Sequence, residues 1–132
     1  MVIRVGAAAI FDKNQRILCC RRDNSSTHPG KWEFPGGKIE FGESTIDCII
    51  REISEELNLL VSPICEILTI NHRYGVKEVS IELWHCVISE DSPVLEMRCH
   101  SENRWLHAHE MNNLDWLDAD FELVEYLLNY RN

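Results

Sequence analysis

Between Gly36 and Leu59 the chain reads GGKIEFGESTIDCIIREISEELNL, and no other run narrows the available folds as far. Two glycines lead into a segment whose apolar residues recur at helical spacing. With Ile46 at zero and about 100° of turn per residue, Ile49, Ile50, Ile53 and Leu57 lie within roughly 60° of it. By the same count Glu52, Glu55 and Glu56 fall on the opposite side, spread over about 100°. One face of the helix is therefore apolar and must be covered. The other gathers like charges: Glu52 stands at i,i+4 to Glu56 and at i,i+3 to Glu55, and each such pair costs about 0.2–0.5 kcal/mol in an isolated helix. A solvated acidic face and a site for a hard cation both fit. Mg²⁺ takes oxygen ligands, and carboxylates three and four residues apart can converge on one ion. The helix alone does not choose between these readings.

The flanking residues bear on the choice. From Gly37 the order is glycine, five residues, Glu43, seven residues, then Arg51-Glu52-Ile53-Ser54-Glu55-Glu56-Leu57-Asn58-Leu59. This resembles the Nudix box: Gly, five residues, Glu, seven residues, Arg-Glu-apolar-x-Glu-Glu-x-Gly-apolar. One specified position departs, Asn58 standing where the box has glycine. The residue after a helix end commonly takes the left-handed conformation, for which Asn is the usual second choice after Gly, so Asn58 is expected to close the helix. The run Lys31-Trp32-Glu33-Phe34-Pro35-Gly36-Gly37-Lys38-Ile39-Glu40 resembles the MutT-like branch of that family. A weaker similarity extends over almost the whole chain.

The resemblance implies an α/β fold, an α/β/α sandwich with a mixed sheet. It implies that the Gly37 carbonyl with Glu52, Glu55 and Glu56 holds Mg²⁺, with Mn²⁺ as a substitute, and that Arg51 holds the glutamates in place; Glu43 is the partner expected for Arg51. The catalytic set is then Glu52, Glu55, Glu56 and Arg51. One glutamate takes a proton from water, and the sequence does not assign which. Arg22 is expected near the nucleotide, its alternative being a solvated charge at a strand end. Lys38 is expected at phosphate oxygens, or else is an exposed strand lysine. An Asn or Asp before the last helix reads the base in MutT-like enzymes, and Asp120 matches that position best; Asp118 or Asp120 could equally cap the helix. Trp116 either stacks on the base or fills the core. MutT-like chains often carry an acidic residue before a tryptophan equivalent to Trp105. Here Asn103 and Arg104 precede it, with Glu102 the nearest stand-in.

Composition sets outer limits. A chain of 132 residues suffices for one domain, residues 1–132, with its own core. No apolar run approaches a membrane span, and the N-terminus MVIRVGAAAIF lacks the flanks of a signal peptide, so a cytoplasmic location is expected. The formal net charge of −9 argues against a nucleic-acid polymer as partner. A triphosphate is compatible with it if divalent cations stand between the two. None of the six cysteines forms a Cys-x-x-Cys pair, and buried free thiols are expected. His107 and His109 have no cysteine knuckle beside them, so zinc is not expected.

Along the chain, Ile3 to Phe11 reads as a central strand covered on both faces. The turn Asp12–Gln15 and the strand Arg16 to Arg22 complete a hairpin. Asp23 to Gly30 is a polar loop suited to a flap. Ser44 is the expected N-cap, with Asp47 three residues on. Val61 to Asn71 and Val76 to Ser89 are strands around the turn His72–Gly75. In the second, Val79, Ile81, Leu83 and His85 share one face, and Ser80, Glu82, Trp84 and Cys86 the other. Asp91 to Ser101 is a connecting loop, Asn103 to His107 a short strand. Leu123, Val124, Leu127 and Leu128 give the last helix its stripe.

The expected activity is that of a MutT-type, Mg²⁺-dependent nucleoside triphosphate pyrophosphohydrolase, (d)NTP plus water giving (d)NMP and diphosphate. Metals would neutralise the phosphates and activate water. Clearing oxidised dGTP or cytidine triphosphates from the nucleotide pool, a form of DNA repair, is the expected role, in a monomer or homodimer. The alternatives are a Nudix hydrolase of a nucleoside-diphosphate sugar or dinucleotide, and a nucleotide-sensing domain without hydrolysis. The preferred base stays open.

Overall fold

The computed structural model describes residues 2–130. In chain order come β1 (Val2–Phe11), β2 (Ile17–Arg22), β3 (Trp32–Glu33), β4 (Gly36–Lys38), α1 (Thr45–Leu57), β5 (Val61–Tyr74), β6 (Lys77–Ile88), β7 (His100–Leu106), a 3₁₀ turn (Ala108–Asn113) and α2 (Asp118–Leu127). Small side chains put β1 at the centre: Ala7, Ala8, Ala9 and Ile10 are all buried, so layers approach it from both faces. β6 runs parallel along one edge, from Val2↔Glu78 to Phe11↔Val87. The other edge is divided. β4 takes its first half (Val5↔Lys38, Gly6↔Gly37, Ala7↔Gly36) and β2 meets its far end at Phe11↔Ile17. The expected hairpin is thus joined at its turn, where Asp12 Oδ1 accepts the Asn14 and Arg16 amides, while β2 pairs mainly with β7.

Alternation sorts the core into two layers. Ala8, Ile10, Leu18 and Cys20 pack under α1 with Ile49, Ile53 and Leu57. Ala7, Phe11, Cys19, Ile81 and Leu83 pack on the other side with Leu123, Val124 and Leu127 of α2. The mixed sheet between helical layers is the expected sandwich. β5 extends further than its sequence suggests: His72 and Tyr74 continue the ladder opposite Val79 and Lys77, so the turn shrinks to Gly75 and Val76, with Gly75 at φ 62°.

α1 begins and ends as expected. Ser44 accepts the Asp47 amide, and Asn58 closes the helix in the left-handed conformation at φ 57° and ψ 26°. Its rotation differs from expectation. Ile46 is 38% exposed, Ile50 is only half-buried, and the buried residues are Cys48, Ile49, Ile53 and Leu57. At about 100° per residue, Glu52 and Glu56 project between Cys48 and Ile49, inside the buried arc. The last helical carbonyls, which lack intrahelical partners, are met by the 89–99 loop: Glu96 N–H donates to Leu57 O and Arg98 N–H to Glu56 O.

Four thiols are buried, but Cys65 and Cys99 are exposed, which corrects the expectation for those two; Cys65 lies on an outer strand and Cys99 in the loop before β7. Among the described residues no helix is long and apolar enough to cross a membrane.

Candidate active site

The site is built where β4 passes under α1. Gly36 and Gly37 are required by close approach. A Cβ on Gly36 would strike the Gly6 carbonyl and come within 2.8 Å of Ala7 Cα; one on Gly37 would lie 2.5–2.6 Å from the Glu52 carboxylate oxygens. Glycine at 37 therefore lets a carboxylate from the helix rest against the strand backbone. Gly37 is paired with Gly6 across the β1–β4 ladder, and its carbonyl also receives the Cys48 thiol at 3.4 Å, a weak donor.

Arg51 orders the carboxylates. Its Nε and Nη2 grip Glu43 bidentately at 2.7 and 3.0 Å, Nη1 reaches Glu52 at 2.9 Å, and Nη2 donates to the Lys38 carbonyl at 3.2 Å. The Arg51 guanidinium, helped by the Glu40 amide, holds the Glu43 carboxyl down at about 2. The expected Arg51–Glu43 pair is in place.

Glu56 is the unusual member. Burial first, then a hydrogen bond shared with Glu52 and the charge of Glu33, push its carboxyl up to about 9, against a Gly36 amide that favours the anion. Its Oε1 is buried with no hydrogen-bond partner among the described residues. Two neighbouring carboxyls, one with an orphaned oxygen, and the Gly37 carbonyl form an all-oxygen donor set, which suits a hard divalent cation. Glu55 is not with them. Its side chain is 59% exposed and touches Arg51 at 3.4 Å, and among the described residues no three acidic, His or Cys side chains already converge on one point. Glu52, Glu56 and the Gly37 carbonyl are the inner group; Glu55 stands at its solvent edge.

A cleft of about 460 Å³ leads away from this group. Val5 and Ala7 of β1 and Ile81 of β6 give it an apolar floor, and Phe34, Leu117, Asp120, Arg22, Glu33, Lys38 and His100 line it as well. Lys38 is an exposed cation at its edge. Arg22 lines the cleft but is engaged, to Glu33 at 2.8 Å and to Thr27 through Nε and Nη2. The 23–30 loop so tied supplies His28, whose ring lies 5.9 Å from that of Tyr74 across the mouth.

A short parallel bridge, Trp32↔Trp116, carries the chain to α2 and sets Asp120 in the cleft. Neither aspartate caps α2, whose N-cap position is Leu117 and which has no side-chain cap. Asp120 is 7% exposed and accepts the Phe34 amide at 2.9 Å; burial raises its carboxyl to about 7 despite that bond. Trp116 takes its core role: its indole N–H donates to Met111 O at 2.7 Å and its ring backs Phe34 at 4.9 Å. It does not line the cleft, because Phe34 lies between. Glu102 is also elsewhere, paired with Arg104 at 2.8 Å and Arg21 at 3.8 Å. The acidic residue near the site is Glu33, within the quoted run but not singled out there. Nothing in the sequence marked His100 or Tyr74.

Comparison with known proteins bears on the family and the fold. The NUDIX domain matches residues 2–127. The CTP pyrophosphohydrolase of Escherichia coli K12 is 27% identical over 94% of this chain and 90% of its own length. The 8-oxo-dGTP diphosphatase of Proteus vulgaris is 28% identical over 62% of this chain and 73% of its own. The solution structure of the E. coli ORF135 protein superposes with a TM-score of 0.83 at 27% identity, covering 96% of this chain and 89% of that one. The chain belongs to the NUDIX family, as a hydrolase with MutT-like relatives. Members of that family generally use divalent metal ions.

Proposed function

We propose that the chain, acting as one domain, is a Mg²⁺-dependent nucleoside triphosphate pyrophosphohydrolase of MutT type, releasing a nucleoside monophosphate and diphosphate. The observation that carries this is the Glu52–Glu56 pair with its orphaned buried oxygen, beside a cleft that offers an apolar floor and one buried carboxyl. Base and polyphosphate need such opposite environments.

Glu52, Glu56 and the Gly37 carbonyl hold Mg²⁺, or Mn²⁺ in its place, with Glu55 at the outer side. The bound cation neutralises phosphate charge and acidifies water. Arg51 fixes Glu52 by direct contact and is itself anchored by Glu43. Glu52 or Glu56 accepts the proton of the attacking water. Lys38 meets phosphate oxygens, Arg22 lies along the nucleotide, and Asp120 reads the base edge: ionised, it accepts from an exocyclic amine or ring N–H, and protonated, it donates. Relatives acting on CTP and 8-oxo-dGTP support a pool-clearing role in the cytoplasm, with a nucleotide rather than a nucleic-acid polymer as partner, as monomer or homodimer. The test is kcat/KM on 8-oxo-dGTP, dGTP, dCTP and CTP beside a nucleoside-diphosphate sugar and a dinucleotide. A triphosphate should lead; faster turnover of the sugar or dinucleotide would overturn the reading.

A further inference from the structure

On the wall of the cleft a buried histidine has one nitrogen satisfied and one idle. His100, the first residue of β7, has a side chain only 3% exposed, with Nε2 2.8 Å from Glu33 Oε2. Its Nδ1 is buried without a hydrogen-bond partner among the described residues, and the residue lines the cleft. An unmet polar atom at such burial costs about 1–3 kcal/mol, so its place on a ligand wall is informative.

Three observations set its position and polarity. β7 pairs with β2 so that His100 lies opposite Arg22, and Glu33 joins the two, giving Oε1 to Arg22 and Oε2 to His100. Glu33, Glu56 and Asp120 line the same cleft, and the charge of Glu33 bears on both of the other carboxyls, so this trio lies within reach of the metal group and of the base-reading aspartate. Finally, Nε2 faces Glu33 Oε2 at 2.8 Å, and in the tautomer that donates there Nδ1 is the acceptor nitrogen of the ring. Between base and phosphates, the hydrogen-bond donors a nucleotide offers are its sugar hydroxyls.

We infer that His100 Nδ1 accepts a hydrogen bond from a sugar hydroxyl of the nucleotide, making His100 a specificity-determining contact. This rests on the reading that a nucleotide fills the cleft. Glu33 and Arg22 position the ring; they do not make the contact.

The experiment compares CTP, dCTP and 2′,3′-dideoxy-CTP, and the guanine counterparts, on the wild-type protein, H100Q and H100F. Gln keeps a donor for Glu33 while losing Nδ1; Phe removes both; melting curves check that each is folded. Wild type should lose about tenfold in kcat/KM at one hydroxyl deletion, the equivalent of roughly 1.4 kcal/mol for one buried hydrogen bond. H100Q should fall to within about twofold across the same pair. Discrimination that persists in H100Q and H100F, or none in wild type, overturns the inference. Should no triphosphate be turned over, the proposed activity fails, and the sugar contact is then decided by calorimetric binding of dCMP and dGMP against their dideoxy forms: the same preference, lost in H100Q, sustains it, and equal affinities refute it.

Discussion

A carboxyl that is buried, raised to about 9 and left with an unmatched oxygen destabilises a protein unless a cation meets it. Glu56→Gln should therefore leave the metal-free melting temperature unchanged or higher. It should cut kcat by more than the roughly 10–100-fold typical of residues one step removed from a metal. A variant that melts as expected but keeps wild-type kcat would displace Glu56 from the site. Asp120 gives a pH-dependent counterpart. Its folded value of about 7 exceeds the ordinary 3.8, so below the ordinary value both folded and unfolded chains hold the proton and nothing is lost. As pH rises toward 7 the unfolded chain releases the proton first, and stability falls across that window. The denaturant midpoint should decline between about pH 4 and 7 more steeply in wild type than in D120N; parallel curves would contradict the assignment. At this scale legibility was uneven. Glu52, Glu56, Gly37 and Asp120 stand at positions that a motif marks. Trp116 could be read two ways because an indole suits a base or a core equally, and only its bond to Met111 O decides. His100 carried no signal, since its meaning comes from Glu33, 67 positions away.

At the scale of elements, the period of the apolar residues located α1 and its caps but misjudged its rotation. A stripe centred on Ile46 puts the glutamates outside; the packed helix turns Ile49 and Cys48 to the sheet and carries Glu52 and Glu56 inward with them. The amphipathic pattern missed this because it ranks residues by hydrophobicity, and two acidic residues at the site lie within the inward arc, half-buried. What holds Glu52 there is Arg51, whose guanidinium joins Glu43, Glu52 and the Lys38 carbonyl. Arg51→Lys keeps the charge but loses the two-toothed grip on Glu43, so kcat should fall about 10–100-fold with the circular dichroism spectrum unchanged; wild-type kcat in R51K would make the clamp merely structural. The end of β5 was set too early for a related reason: His72 and Tyr74 lie beside a glycine turn, yet keep the register of the ladder.

Across the whole molecule, β1 is the shared support. One edge carries β4 and hence the diglycine bend; its first half, with β6, floors the cleft; its other face lies under α1. The layering was legible because a run of small residues in a central strand must be covered twice. The division of one β1 edge between β2 and β4 was not, since it depends on pairings between distant residues. Resting the diglycine bend and the cleft floor on this one strand makes a single-step test available. ³¹P NMR of the preferred triphosphate, incubated with the protein with and without Mg²⁺, should show nucleoside monophosphate and diphosphate forming only with the cation. Orthophosphate and nucleoside diphosphate as products, or equal turnover without any divalent metal, would contradict the account.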